Sequence, residues 1–140
     1  MSPALALAYW WDSLDQSTSF SNCNLFVATR PDKDIPEVLT IYDIDPARYG
    51  SVETKSIRHP RCRVSVRSSD YMTGWGIVEH FQSSIQAVEI YSQTVDEGYT
   101  FGLGHGTIRS GPTFRGSIPE ENLELFTMTV SFQFGYTANL

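Results

Sequence analysis

Cysteine is scarce. Cys23 and Cys62 are the only two in 140 residues, and neither belongs to a C-x-x-C pair. That excludes a disulfide framework and leaves two buried thiols in a reducing compartment as the expectation. Basic residues are outnumbered, 10 against 16 acidic, for a net charge of −6. Broad nucleic-acid binding rests on a basic surface, so this balance argues against it. The same balance suits solubility and a surface past which DNA slides without sticking. No apolar run reaches the length of about 18 residues that marks a membrane-crossing helix, so no membrane partner is expected. The apolar stretch Met1–Trp11 has no Lys or Arg before it, and a helix of the mature protein is expected there instead of a signal peptide.

Catalytic and cofactor motifs are also missing. His59, His80 and His105 are far apart, with no H-x-x-x-H spacing or Cys/His cluster. No G-x-S-x-G occurs. Gly102-Leu103-Gly104-His105-Gly106 is glycine-rich, but it lacks the Lys of a phosphate loop and no helical pattern follows it. Cys62 has basic neighbours that favour a thiolate, yet it alternates with Val64 and Val66 and is expected in the core. The acidic pairs Asp43/Asp45 and Glu120/Glu121 sit beside turn signals, where solvated acids are ordinary. His80, beside Glu79 and Phe81 on a predicted helix, reads as a surface or edge residue. No enzyme, cofactor or metal is expected.

What is present is the composition of a globular domain. Apolar residues make up 41% and charged residues 19%, which suffices for a core in a single domain over 1–140. Aromatics reach 13%, enough to leave rings for contacts with other chains.

Ser2-Pro3 begins a predicted helix, with Leu7, Trp11 and Leu14 on one face and an end near Asp15. Leu25–Ala28 and Val38–Ile44 read as strands. Gln16–Asn22, Thr29–Glu37 and Asp45–Ile57 read as loops, the last long enough to be used for contact. Cys62, Val64 and Val66 alternate with Arg61, Arg63, Ser65 and Arg67, a strand with an apolar and a basic face. Ser69-Asp70 offers a helix cap. Ile77, Phe81, Ile85 and Val88 then mark an amphipathic helix to about Ile90. Gly74 and Gly76 in its first turns cost helix propensity, which points to close packing or a frayed start.

Tyr99, Phe101 and Leu103 alternate as a further strand. Gly104–Gly111 reads as a glycine-rich break and Pro112–Glu121 as irregular. The clearest strand closes the chain. Phe126, Met128, Val130, Phe132 and Phe134 fall on one face, and Thr127, Thr129, Ser131 and Gln133 on the other. A slip of one residue would expose all the large apolar groups, so its register is firmly set. The fold class is α+β: a mainly antiparallel sheet of about five strands packed with an N-terminal helix and one long central helix.

One charge pattern rises above background. Arg58, Arg61, Arg63 and Arg67 place four of the ten basic residues within ten positions. The strip reads as a solvated strand face paired with acids across the sheet, as an inter-subunit salt-bridge surface, or as a nucleic-acid contact.

Pro60-Arg61-Cys62-Arg63-Val64-Ser65-Val66-Arg67-Ser68-Ser69-Asp70-Tyr71 resembles the tail terminator (tail completion) proteins of long-tailed bacteriophages. In that family an alternating strand ending in Val-Arg leads through a short turn with Asp-Tyr into a long helix. Two strands follow, with a glycine- and proline-containing segment between them. Here these are Tyr71–Ile90, the segment Ser110–Gly116 and the closing strand Leu123–Phe134, after an N-terminal helix.

The resemblance implies a structural virion protein, assembled in the host cytoplasm and located at the tail–neck junction. It would form a homohexameric ring that caps the tail tube, ends its polymerisation and joins the tail to the head-side connector. Its partners would be itself, the tube protein and the connector or neck protein, with genomic DNA passing through unbound. Arg58, Arg61, Arg63, Arg67, Asp70 and Tyr71 become candidates for the subunit interface. Thr127, Thr129, Ser131 and Gln133 become candidates for the lumen or a partner-facing surface. A head–tail joining or tube-like component is the alternative, and a small-ligand-binding or enzymatic α+β domain a distant one.

Overall fold

Ser2 and Pro3 start the first helix as their chemistry dictates. A computed structural model of the chain describes residues 2–14, 24–27, 37–44, 59–95, 99–118 and 123–138. In it α1 spans Pro3–Ser13, and the Ser2 hydroxyl accepts the Leu5 amide N–H at 3.1 Å. The helix stops slightly before Asp15, because Leu14 turns extended with its N–H on the Trp11 carbonyl. Leu7 and Trp11 are buried as their spacing predicts. Ala4, Ala6, Ala8 and Trp10 are buried as well, so the apolar face is wider than one stripe.

A second tie holds the start of α1. The Ala4 amide donates to Asp43 Oδ1 at 2.9 Å, from a strand 39 residues away. An otherwise unmet helix N–H thus meets a carboxylate at the positive end of the helix dipole. Asp43→Ala is expected to lower stability by about 1 kcal/mol, the usual effect of losing a cap, measured by urea denaturation. An unchanged midpoint would show that water replaces the carboxylate at no loss.

The second helix, α2, spans Tyr71–Ala87. Asp70 Oδ2 accepts both the amide and the hydroxyl of Thr73 at 2.9 Å, and these bonds hold the Asp70 carboxyl below its ordinary pKa. Ile77, Phe81 and Ile85 are buried on its inner face. The periodicity predicts a helix to about Ile90, but the helix ends sooner. Val88 turns extended, and its carbonyl accepts the amide of His105 at 3.0 Å. A neighbouring strand therefore takes the backbone group that another helical turn would need.

Gly74, an expected close-packing site, is one. A Cβ there would lie 2.6 Å from Phe126 Cε2 and 3.0 Å from Ser68 Cβ. Trp10 meets Phe81 edge-on at 5.5 Å, and Trp11 lies 5.0 Å from the same ring, so the two helices meet around Phe81.

The strands are β1 (Asn24–Val27), β2 (Val38–Asp43), β3 (Arg61–Ser68), β4 (Tyr91–Val95), β5 (Tyr99–Ile118) and β6 (Leu123–Ala138). They form one sheet in the order β1-β2-β3-β6-β5-β4. Strands β2 to β6 are paired antiparallel into a curled sheet, and β1 joins β2 in parallel at the edge. The architecture is α+β with a mainly antiparallel sheet and two helices among the described residues.

The expected mainly antiparallel sheet of about five strands is met by β2 to β6, with β1 as a sixth, parallel strand. Strand β4, not among the expected strands, reads Tyr-Ser-Gln-Thr-Val. Its largely polar sequence carries no apolar alternation strong enough to announce an edge strand. The expected break at Gly104–Gly111 and irregular stretch from Pro112 belong to one strand, β5, which runs to Ile118. Its pairing with β6 shifts register four times, between Gly104/Thr107, Ile108/Ser110, Ser110/Thr113 and Phe114/Gly116. Bulges of this kind admit glycine and proline while the ladder continues. At Gly106 an added Cβ would meet Ile85 Cγ1 and the Ile85 carbonyl oxygen, both at 2.5 Å, so the strand passes directly against the end of α2.

The core joins both helices to one face of the sheet. Leu39, Ile41, Val64, Val66, Phe126 and Val130 are wholly enclosed with Leu7, Phe81 and Ile85. All five predicted inward residues of β6, Phe126 to Phe134, are buried. The loops expected at Gln16–Asn22 and Asp45–Ile57, and that at Thr29–Glu37 except Glu37, lie outside the described residues, as does Cys23.

Candidate functional site

Because both helices pack on one face, the opposite face of the sheet is built from the alternate residues of β2, β3, β6 and β5. The register decides which meet. Arg61 lies opposite Ser131, Arg63 opposite Thr129, Ser65 opposite Thr127 and Arg67 opposite Leu125. On the other side Tyr42 lies opposite Arg63, and Thr40 opposite Ser65. The arginine strip and the hydroxyl strip, separate candidates in the sequence, are thus cross-strand neighbours on one surface. Arg63 is exposed, Arg61, Arg67, Thr127 and Thr129 are half-buried, and Ser131 is buried.

The other candidates fall elsewhere. Gln133 lies farther along β6, where it lines a groove of about 250 Å³ with Ile90, Gly102, Gly104 and Gly135. Asp70 is engaged as the cap of α2. Tyr71 is 44% exposed at the rim of an aromatic cluster, 5.1 Å from Phe114 and 5.3 Å from Phe126. Met72 beside it is 71% exposed. Arg58 lies outside the described residues.

Two residues of the site were not legible in the sequence. Arg115 Nε donates to Thr127 Oγ1 at 3.2 Å. With Tyr42, Arg63, Ser65, Leu125 and Thr127 it lines an open depression of about 610 Å³. The available signal was the alternation of Thr113 and Arg115 around Phe114, which the glycines and proline of β5 disguise. Tyr42 belongs to the strand expected over Val38–Ile44, and only pairing with β3 sets it beside Arg63.

Charge is distributed unevenly over the fold. Every described Lys or Arg (Arg61, Arg63, Arg67, Arg109 and Arg115) belongs to β3 or β5. Neither helix carries a Lys or Arg. Exposed Asp12 and Glu79 lie on the two helices, and Glu89 follows the end of α2.

The chemistry-bearing side chains that remain are engaged in packing or hydrogen bonds, or exposed. Cys62 is fully buried, as its alternation predicts, with its sulfur 3.9 Å from Asp43 Oδ1. Burial and the adjacent carboxylate push its pKa strongly upward, which opposes the thiolate a nucleophile requires. His80 lies at an edge. It is half-buried, with its ring centroid 5.2 Å from that of Trp11 on α1. His105 is exposed at a bulge of β5 with φ 50°, within a strand where a turn was expected. Among the described residues no group of three or more His, Cys, Asp or Glu is placed to hold a metal ion. None of their helices is long and apolar enough to cross a membrane. The chain matches no protein-family model, and no curated protein matches it significantly.

Proposed function

We propose that the chain is a structural virion protein of the tail-terminator kind. In this reading it forms a homohexameric ring that caps the tail tube, ends polymerisation and meets the head-side connector. The observation that carries it is the sheet face away from the helices, on which Arg61, Arg63 and Arg67 lie beside Thr127, Thr129 and Ser131. The order of helix, basic alternating strand, Asp-Tyr, helix and closing strand supports it, with α2 as the one long central helix of such a domain. A closed ring of identical subunits needs a heterologous contact, with two different surfaces on each copy. A basic sheet face and acidic helices provide two such surfaces.

The shared face also bears on the lumen. Arginines on that face would attract the phosphates of passing DNA. The hydroxyl strip is therefore assigned, with the arginines, to the contact between subunits and not to the lumen. In this reading DNA passes a surface of the opposite charge character, in keeping with the net charge of −6.

Light scattering coupled to size exclusion, with electron microscopy of the particles, tests the ring. Six copies per particle are expected. Arg63→Glu is expected to weaken assembly about tenfold or more, because like charges across a contact cost several kcal/mol, while the melting temperature stays unchanged. A wild-type chain that remains monomeric at high concentration would sink the ring.

A further inference from the structure

The Arg63 side chain makes no hydrogen bond or ion pair with any described residue, and the Arg115 side chain donates to the neutral hydroxyl of Thr127. Arg63 and Arg115 nevertheless line the same depression, with Tyr42 beside them. Two like charges facing one space are complemented by carboxylates, which arginine engages in a two-pronged fork.

Among the described residues, the acids nearest the sheet are engaged elsewhere. Glu124 on β6, opposite Ser68 and Ser117, is half-buried and has an interaction of its own. Asp43 pairs in register with buried Cys62 and holds the Ala4 amide, so it belongs to the helix-covered face. Glu37 accepts from Ser68 and Ser69. Exposed Asp12 and Glu79 are on α1 and α2, the layer beyond the core. Asp12 directly follows Trp11 and Glu79 directly precedes His80, whose ring centroids are 5.2 Å apart, so both acids lie next to one contact between the helices. The described part of the chain thus carries a cationic depression on one side and an acidic edge with no Lys or Arg on the other. One copy cannot bring them together across its own core, but two copies in head-to-tail contact can.

We infer that the Tyr42–Arg63–Arg115 depression receives the acidic edge at Asp12 and Glu79 of a second copy of this chain. This rests on the ring reading above and names the two surfaces that meet. Arg63 and Arg115 supply the positive charge, while Tyr42, Ser65 and Thr127 bound the space it faces.

A charge exchange in the full-length chain tests it, with self-association followed by sedimentation velocity at low and high salt. The double variant Arg63→Glu/Arg115→Glu is expected to associate at least tenfold more weakly than wild type, and Asp12→Lys/Glu79→Lys likewise. Each variant alone presents surfaces of one sign. An equimolar mixture again offers opposite charges at every contact, and is expected to recover salt-sensitive association. Circular dichroism melts check that each variant folds. Arg63→Gln/Arg115→Gln replaces the reversal if the glutamates unfold the chain.

Undiminished association of the first variant would overturn this pairing and leave the ring reading standing. Weakening without recovery on mixing would also overturn it. So would wild-type association abolished by millimolar inorganic phosphate but insensitive to Asp12→Lys/Glu79→Lys, which would make the depression a small-anion site. Recovery on mixing in particles that are not hexamers would support the pairing and overturn the hexamer.

Discussion

Phe126→Ala is expected to lower the stability of the chain by about 3–5 kcal/mol, the range for removing a buried phenylalanine. The ring is completely buried. It lies 5.3 Å from Tyr71, 5.8 Å from Trp75 and 5.3 Å from Phe114, so helix and strand partners both lose contact when it is cut back. Phe126 also pairs in register with Val66 on one side and Phe114 on the other, which leaves little room for the sheet to collapse into the cavity. Domains of this size hold about 5–15 kcal/mol in total, so the loss is a large share. Urea denaturation should show a lower midpoint with an unchanged slope. Phe126→Leu keeps much of the volume and should cost considerably less. A loss under about 1 kcal/mol for the alanine variant would contradict a seated β6, because even a modestly buried phenylalanine exceeds that.

Gly74→Val is expected to cost about 2 kcal/mol, although two effects oppose each other. Replacing glycine inside a helix gains roughly 0.5 kcal/mol in propensity for a β-branched residue. Against this, the new Cβ would stand 2.6 Å from Phe126 Cε2 and 3.0 Å from Ser68 Cβ. Overpacking a rigid core costs about 1–3 kcal/mol. The clash prevails because the ring it meets is fixed by its three aromatic neighbours and cannot swing aside. The two positions should be coupled: Gly74→Val in a Phe126→Leu background should lose less than the sum of the two changes. Strict additivity in a double-mutant cycle would mean that α2 does not rest on Phe126.

How much of this was legible follows from the range of each signal. Helix α1 was readable from Ser2-Pro3 and its apolar spacing, and α2 from Asp70 and the Ile77–Phe81–Ile85 series. Strands β3 and β6 were readable from strict alternation, which also sorted Arg61, Arg63 and Arg67 from Val64 and Val66. The end of α2 was misplaced because the competing partner of Val88 is His105, in a strand that does not begin until Tyr99. The length of β5 was missed because its glycines and Pro112 signal a break locally. In the sheet they occupy bulges, one of them where Ile85 presses against Gly106.

The sequence by itself determined which side chains of a strand share a face, because that depends only on a period of two along the backbone. It determined the acidic balance and the apolar stripe that drives Phe126 to Phe134 inward. Only the tertiary structure decided that the basic face of β3 and the hydroxyl face of β6 are one surface, and that Tyr42 and Arg115 border it. Strand pairing joins residues more than sixty positions apart, such as Arg63 and Thr129, and no local pattern encodes which strands will meet. The closing strand that first marks this chain as a packed domain thereby becomes the strand beside which its arginines lie.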